Sequence, residues 1–234
     1  MGTYTAAYFG YSIAQAALAV WAFTMWRKER TAAALTLMLP PAAVVYDNLM
    51  IALGSYIGTG PLLEALTVPR FLGHALFTPI WIVTAVAFAL RAGAFAGRER
   101  TFVIGSWVLY GSMVVIGLIN EVFSFAGEIV YEGDVVYYTN VGRVFTPPPP
   151  SLTMLLVVLV CGAIVAWRTR GRWPWMLLGA VPVLLSQAGR TDEVAFVLIN
   201  SSEVIMSLSL VATLAFFRRR EAAVVVAEGA VATT

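Results

Sequence analysis

Apolar residues in this chain run in blocks much longer than a soluble helix or strand uses, separated by short clusters rich in arginine, glycine and proline. A helix needs about 20 largely apolar residues to cross a hydrocarbon layer of about 30 Å. Seven blocks meet or approach that length: residues 4–26, 32–56, 70–91, 102–125, 151–168, 174–188 and 194–217. The sixth is short, and Pro40-Pro41 interrupts the second. Pro79 and Pro182 lie inside the third and sixth, where kinks are expected and neighbouring helices re-satisfy the freed carbonyls. The pattern predicts an all-α polytopic membrane protein. Its single seven-helix transmembrane bundle covers 1–220, and a frayed tail follows over 221–234.

The longest polar connection, 126–150, carries a different period. From Glu128 to Tyr138, β-type residues flank a Glu132-Gly133-Asp134 turn, which predicts a short hairpin. Pro147 to Pro150 then form a stiff, extended lead into the fifth span. The loop is either a lid over a cavity at that end of the bundle or an ordinary connector.

Composition agrees with the pattern. The chain is 60% hydrophobic and 12% charged, against about 45–50% and about 25% for soluble domains, and its mean hydropathy is +0.82. A disordered chain, a nucleic-acid-binding module and a disulfide-stapled secreted domain are excluded; the one cysteine, Cys161, falls mid-span.

Charge adds orientation. Of fifteen basic residues, twelve fall on one side: Arg27, Lys28, Arg30, Arg91, Arg98, Arg100, Arg168, Arg170, Arg172 and Arg218 to Arg220. Arg70, Arg143 and Arg190 are left for the other. The excess marks the cytoplasmic side, so the N-terminus is expected outside and the C-terminus inside. The first span has no basic leader and reads as a retained helix. The Ala/Val/Arg-rich usage suits a bacterial plasma membrane.

Ionisable groups within spans are costly and are functional suspects by default. Asp47, Glu121 and Glu203 qualify, each with an amide nearby: Asn48, Asn120 and Asn200. Asn200 and Glu203 share a helical face, as do Arg70 and His74. Counting about 1.5 Å per residue along alternating spans puts all of these in the outer half of the bundle, with Arg70 and His74 at the outer start of their span. Tyr4, Tyr8, Tyr11, Ser12 and Gln15 form a stripe on one face of the first span at the same depth. Ser186 and Gln187 join them from the sixth.

Four readings of this cluster are open. In a structural one, Arg70 pairs with Asp47 or Glu121 and the rest join helices by hydrogen bonds. In a catalytic one, a desolvated carboxyl serves as general acid. In a transport one, the carboxylates relay protons or bind a cation, although no matching polar residues line the inner half. A metal site from His74, Asp47, Glu121 and Glu203 would suit a hard cation, but the lone histidine argues against it, and no metal is expected.

The third span, Pro69-Arg70-Phe71-Leu72-Gly73-His74-Ala75-Leu76-Phe77-Thr78-Pro79, resembles the corresponding helix of the microbial rhodopsins, where an arginine precedes a Thr-Pro pair at this spacing. The second span is similar too, as are length, span number and the external N-terminus. The resemblance implies a rhodopsin-like seven-helix bundle. It does not imply retinal: the one lysine is Lys28, Glu203 lies near where the Schiff-base lysine belongs, and Gly73 stands where a carboxylate would follow the arginine. No cofactor is expected. A looser architectural resemblance links the chain to small seven-span membrane terpene cyclases. It implies acidic residues in an early and the last helix, places that Asp47 and Glu203 would take; the Trp-Glu signature of those enzymes is missing here.

The leading expectation is an intramembrane enzyme acting on an isoprenoid or other lipid by protonation-initiated cyclisation or isomerisation. Asp47 or Glu203 is the acid, with Glu121 as a further carboxylate. Asn48, Asn200 and His74 hold the acid's protonation state, Arg70 anchors a polar head, and Asn120 is a further candidate binding residue. Tyr46, Trp81, Trp107 and Tyr110 are candidate aromatic walls, and Tyr8 and Tyr11 of the stripe are candidate binding residues. The alternatives are a lipid-binding receptor without covalent retinal, and a proton or ion transporter. The expected partners are a hydrophobic small molecule and the bilayer, not nucleic acid.

Overall fold

The computed structural model describes residues 2–188 and 196–231. Arg190, the first residues of the seventh block and the side chain of Gln187 lie outside what is described. The helices are α1 (Thr3–Glu29), α2 (Ala32–Ile57), α3 (Pro61–Phe77), α4 (Trp81–Arg91), α5 (Glu99–Gly117), α6 (Pro149–Arg168), α7 (Trp175–Ala188) and α8 (Phe196–Val231). A 3-10 turn, Thr78–Ile80, joins α3 to α4 at Pro79, so the two make one span, Pro61–Arg91. A π-helical turn, Leu118–Phe123, prolongs α5.

Among the described residues, six helices are long and apolar enough to cross a membrane; α7 is shorter. Their outer faces carry Ile13, Val20, Val108, Val115, Leu156, Val160, Leu178 and Leu185, all exposed. A water-soluble domain rarely leaves so much apolar area uncovered. The helices pack in a ring in chain order, closed by α1 against α8, with α4 touching α2, α5, α6 and α8. Leu37, Ile82, Phe88, Val158, Met176, Leu210, Leu214 and Phe217 fill the interior.

Three boundaries differ from the sequence expectation. The third span begins at Pro61, not 70: Pro61 suits the first helical turn, and Pro69 is accommodated within the helix. Arg70 therefore sits more than two turns inside the helix and is 4% exposed. The second span continues unbroken through Pro40-Pro41. The last helix runs to Val231 instead of fraying; its extension prolongs a helix already nucleated, and adding residues to a formed helix is far easier than starting one.

The predicted hairpin is present, and it qualifies the all-α expectation. β1 (Gly127–Glu132) pairs antiparallel with β2 (Val135–Asn140), Glu132 opposite Val135, around Gly133 at φ +57°. β2 lies over one end of the bundle, and the period of a strand divides its side chains. Val135 and Tyr137 pack with Tyr8, Ile51 and Ala52, while Val136 and Tyr138 pack with Leu63. Gly54 of α2 makes this possible, because a Cβ there would collide with the Val136 carbonyl oxygen. Gly54→Ala is expected to lower the melting temperature by displacing β2. Gly10→Ala, on a helix face with open space around it, should instead leave it unchanged or raise it. Equal melting temperatures for the two variants would refute the close-approach argument.

The hairpin turn also caps α1. Gly2 offers no side chain, and Asp134 takes its place. Its Oδ1 accepts the Tyr4 amide (2.8 Å), and its Oδ2 accepts the Thr5 hydroxyl (2.5 Å) and amide (3.2 Å). The Thr5 hydroxyl bond, helped by the two amides, holds the Asp134 carboxyl below its ordinary value of 3.8. A depressed folded-state value means the cap is complete above about pH 4 and is lost as pH falls through the lower folded value. Amide exchange at Tyr4 and Thr5, corrected for intrinsic rates, should therefore accelerate on acidification below that range, and at neutral pH in Asp134→Ala. Unchanged protection in the variant would count against the cap.

At the opposite end, Glu29 of α1 accepts a hydrogen bond from Arg91 (2.9 Å) and forms an ion pair with Arg218 (2.8 Å), drawing the ends of α1, α4 and α8 together.

Candidate functional site

Three elements bring the buried charges together below the hairpin. Asp47 comes from α2, Arg70 and His74 from α3, and Asn200 and Glu203 from α8. Asp47 Oδ1 accepts a hydrogen bond from Arg70 Nε at 2.8 Å, with both side chains 4% exposed. Of the two partners open to Arg70, it takes Asp47. Arg70 Nη1 also donates to the Tyr138 carbonyl at 3.3 Å, so β2 closes the site from above, and the guanidinium lies 5.8 Å from the Tyr137 ring centre. Arg70 thus lies enclosed between α2 and the hairpin instead of standing at an open rim.

His74, one turn further along α3, points Nε2 toward Asp47 Oδ1 at 3.6 Å and shares a 3.2 Å hydrogen bond between Nδ1 and the Thr78 hydroxyl. Both ring nitrogens are thereby oriented. Asp47 Oδ2 and Glu203 Oε2 are buried and have no hydrogen-bond partner among the described residues. Glu203 also has no ion-pair partner there.

Glu121 and Asn120 take a different course. The π-helical turn carries both, and Glu121 receives Arg143 Nε at 2.9 Å on each oxygen. Asn120 accepts the Phe145 amide at 2.7 Å and donates to its carbonyl at 3.2 Å. Together they fasten the segment that precedes the proline run. Sequence reasoning left Arg143 as an isolated loop charge, since its partner lies 22 residues away and no helical spacing links them.

Two adjoining cavities meet at His74 and Glu203. One, of about 230 Å³, is mainly apolar, with Pro40, Val44, Trp81, Leu155, Val183 and Met206 among its walls. The other, of about 100 Å³, is more polar, with Asp47, Arg70, His74, Glu121, Arg143, Asn200 and Glu203 among its walls. Pro148 and Ser151 line both, so the proline run forms a wall of the site, a part that its sequence signals only as stiffness.

The remaining candidates lie elsewhere. Asn48 is buried but donates to the Val44 carbonyl of its own helix at 3.1 Å. Tyr8 and Tyr11 stack edge-on at 6.0 Å, and the Tyr8 hydroxyl donates to Glu132 of the hairpin at 3.3 Å. The stripe on α1 thus meets the hairpin through Tyr8 and α2 through Ser12, which bonds the Val45 carbonyl at 3.2 Å, and lines neither cavity. Tyr46 donates to the Leu66 carbonyl at 2.9 Å and Tyr110 to that of Leu76 at 3.2 Å; neither lines a cavity described here, and Trp107 is 40% exposed. Of the proposed aromatic walls, Trp81 is the one that lines the site. Ser186 bonds Ser202 of α8 at 3.3 Å. Among the described residues, no three His, Cys, Asp or Glu side chains converge as a metal site.

No protein-family model and no curated protein matches the chain.

Proposed function

We propose that this protein is an intramembrane acid–base enzyme acting on a hydrophobic substrate, an isoprenoid or other lipid, by protonation-initiated isomerisation or cyclisation. The observation that carries the reading is the junction at His74 and Glu203, which line both a mainly apolar cavity and a more polar one. An apolar chain would fill the first cavity, against Trp81, Leu155 and Met206, with its polar end toward Arg143 and Asn200 in the second.

In this reading the two carboxylates divide the work. Asp47 is bound to Arg70 and remains a fixed counter-charge that orients His74. Glu203 has no ion-pair partner among the described residues and exchanges the proton. Its carboxyl O–H bond breaks as a C–H bond forms at a substrate double bond, leaving a carbocation that the Trp81 ring face can stabilise. Rearrangement or ring closure then ends with loss of a proton, which returns to the Glu203 carboxylate, so the step balances without a further reagent.

The helices would lie in a bacterial plasma membrane with the hairpin outside and the arginine-rich end in the cytoplasm. The rhodopsin-like and terpene-cyclase-like resemblances belong to this proposal. A second reading, a lipid receptor without covalent retinal, uses the same cavity and predicts binding without turnover.

The test is mass spectrometry of lipids that co-purify with the protein, followed by conversion of a lipid extract by the parent protein and Glu203→Gln. Product formed by the parent and lost in the variant supports the enzyme. A bound lipid that neither protein alters supports the receptor.

A further inference from the structure

We propose a second binding site, for a phosphate-bearing ligand, at the arginine-rich end of the bundle. A cleft of about 410 Å³ opens there between the α6–α7 turn and α8, lined by Arg168, Thr169, Arg170, Arg172, Phe216 and Arg220. Among the described residues, no acidic side chain lines it. The contrast with neighbouring arginines is informative. Arg91 and Arg218, at the same end, are engaged by Glu29. Among the described residues, none of the four cleft arginines has a carboxylate within 4.0 Å. Four guanidinium groups around one cleft repel one another, and an anion between them converts that repulsion into attraction.

The cleft is built on a braced scaffold. Trp173 stacks on Phe216 with ring centres 4.6 Å apart, and its Nε1 donates to Thr213 Oγ1 at 2.9 Å, tying the turn to α8. The buried Thr169 accepts the Trp173 amide at 3.2 Å and donates to the Val165 carbonyl at 2.8 Å. Arg170 and Gly171, at φ 55° and 75°, reverse the chain between them. The arginines thus project from a fixed turn on one side and a helix on the other.

Phosphate is the anion that suits this arrangement. Its oxygens take the planar two-pronged donation of guanidinium, and basic pockets at the surface end of membrane helices hold phospholipid headgroups. The same chemistry would hold a free phosphate or diphosphate, and the experiment separates the two sources.

Full-length protein is purified with a mixture of phosphatidylcholine and phosphatidylglycerol, and the lipid retained is read by native mass spectrometry. In parallel, thermal melting is followed in phosphatidylcholine nanodiscs with added inorganic phosphate or pyrophosphate. Arg170→Gln and Arg220→Gln are compared with Arg219→Gln, which removes the same charge from α8 outside the cleft. Each cleft substitution is expected to weaken binding about tenfold or more, while Arg219→Gln changes it little. Selective phosphatidylglycerol retention identifies a headgroup site; stabilisation by inorganic phosphate or pyrophosphate identifies a soluble ligand. Arg220→Lys, which keeps the charge, should retain part of the affinity and show that the variants fold. Equal losses in all three Gln variants, or no binding of any probe by the parent, would overturn the proposal.

Discussion

Glu203→Gln is expected to reduce lipid conversion by about 10²–10⁴-fold, the range that a positioned acid–base group contributes, while the protein remains folded and retains its lipid. The amide keeps the shape of the carboxyl but can neither supply nor recover a proton. Stability should change little, because the Glu203 Oε2 atom has no hydrogen-bond partner to lose among the described residues. Asp47→Asn is expected to lower the rate as well, but by a different route: it loosens Arg70 and, through Oδ1, the orientation of His74. The two variants separate in thermal melting, where Asp47→Asn loses stability and Glu203→Gln does not. An unchanged rate in Glu203→Gln would remove the catalytic reading and leave the receptor.

The second large effect concerns the ion pair itself. Asp47→Ala leaves the guanidinium of Arg70 buried without its counter-charge, and breaking such a pair from one side costs about 3–5 kcal/mol. Because Arg70 also donates to the Tyr138 carbonyl, the loss should spread to the hairpin and appear as faster amide exchange along β2. The double variant Asp47→Leu, Arg70→Met is expected to recover most of that stability, since an apolar pair of similar size avoids the desolvation of both charges. Equilibrium unfolding of the parent, Asp47→Leu, Arg70→Met and the double variant closes the double-mutant cycle. A single variant within about 0.5 kcal/mol of the parent would show that the pair is not what holds this end of the bundle together.

The charge pattern was informative about which residues to suspect and less so about how they pair. Asp47, His74 and Glu203 stand out in sequence because an ionisable group within a long apolar block is rare and costly, and they do line adjoining cavities. Glu121 stands out for the same reason yet faces Arg143, a contact made by chain that returns from the hairpin. The stripe on α1 is equally visible by its helical period, but periodicity indicates a shared face without identifying what that face meets. It meets Glu132 and Val45 through Tyr8 and Ser12.

By itself, the sequence determined the apolar helices, the hairpin with its turn at Gly133 and Asp134, and the short list of buried ionisable groups. All of these follow from local period and from the cost of placing charge among apolar neighbours. Only the tertiary structure decided that Arg70 chooses Asp47, that the proline run becomes a wall of the cavity, and that Asp134 caps a helix 130 residues earlier in the chain. These are contacts between segments distant in sequence, set by which surfaces meet when the helices close into a ring, and no period along one helix records its neighbour.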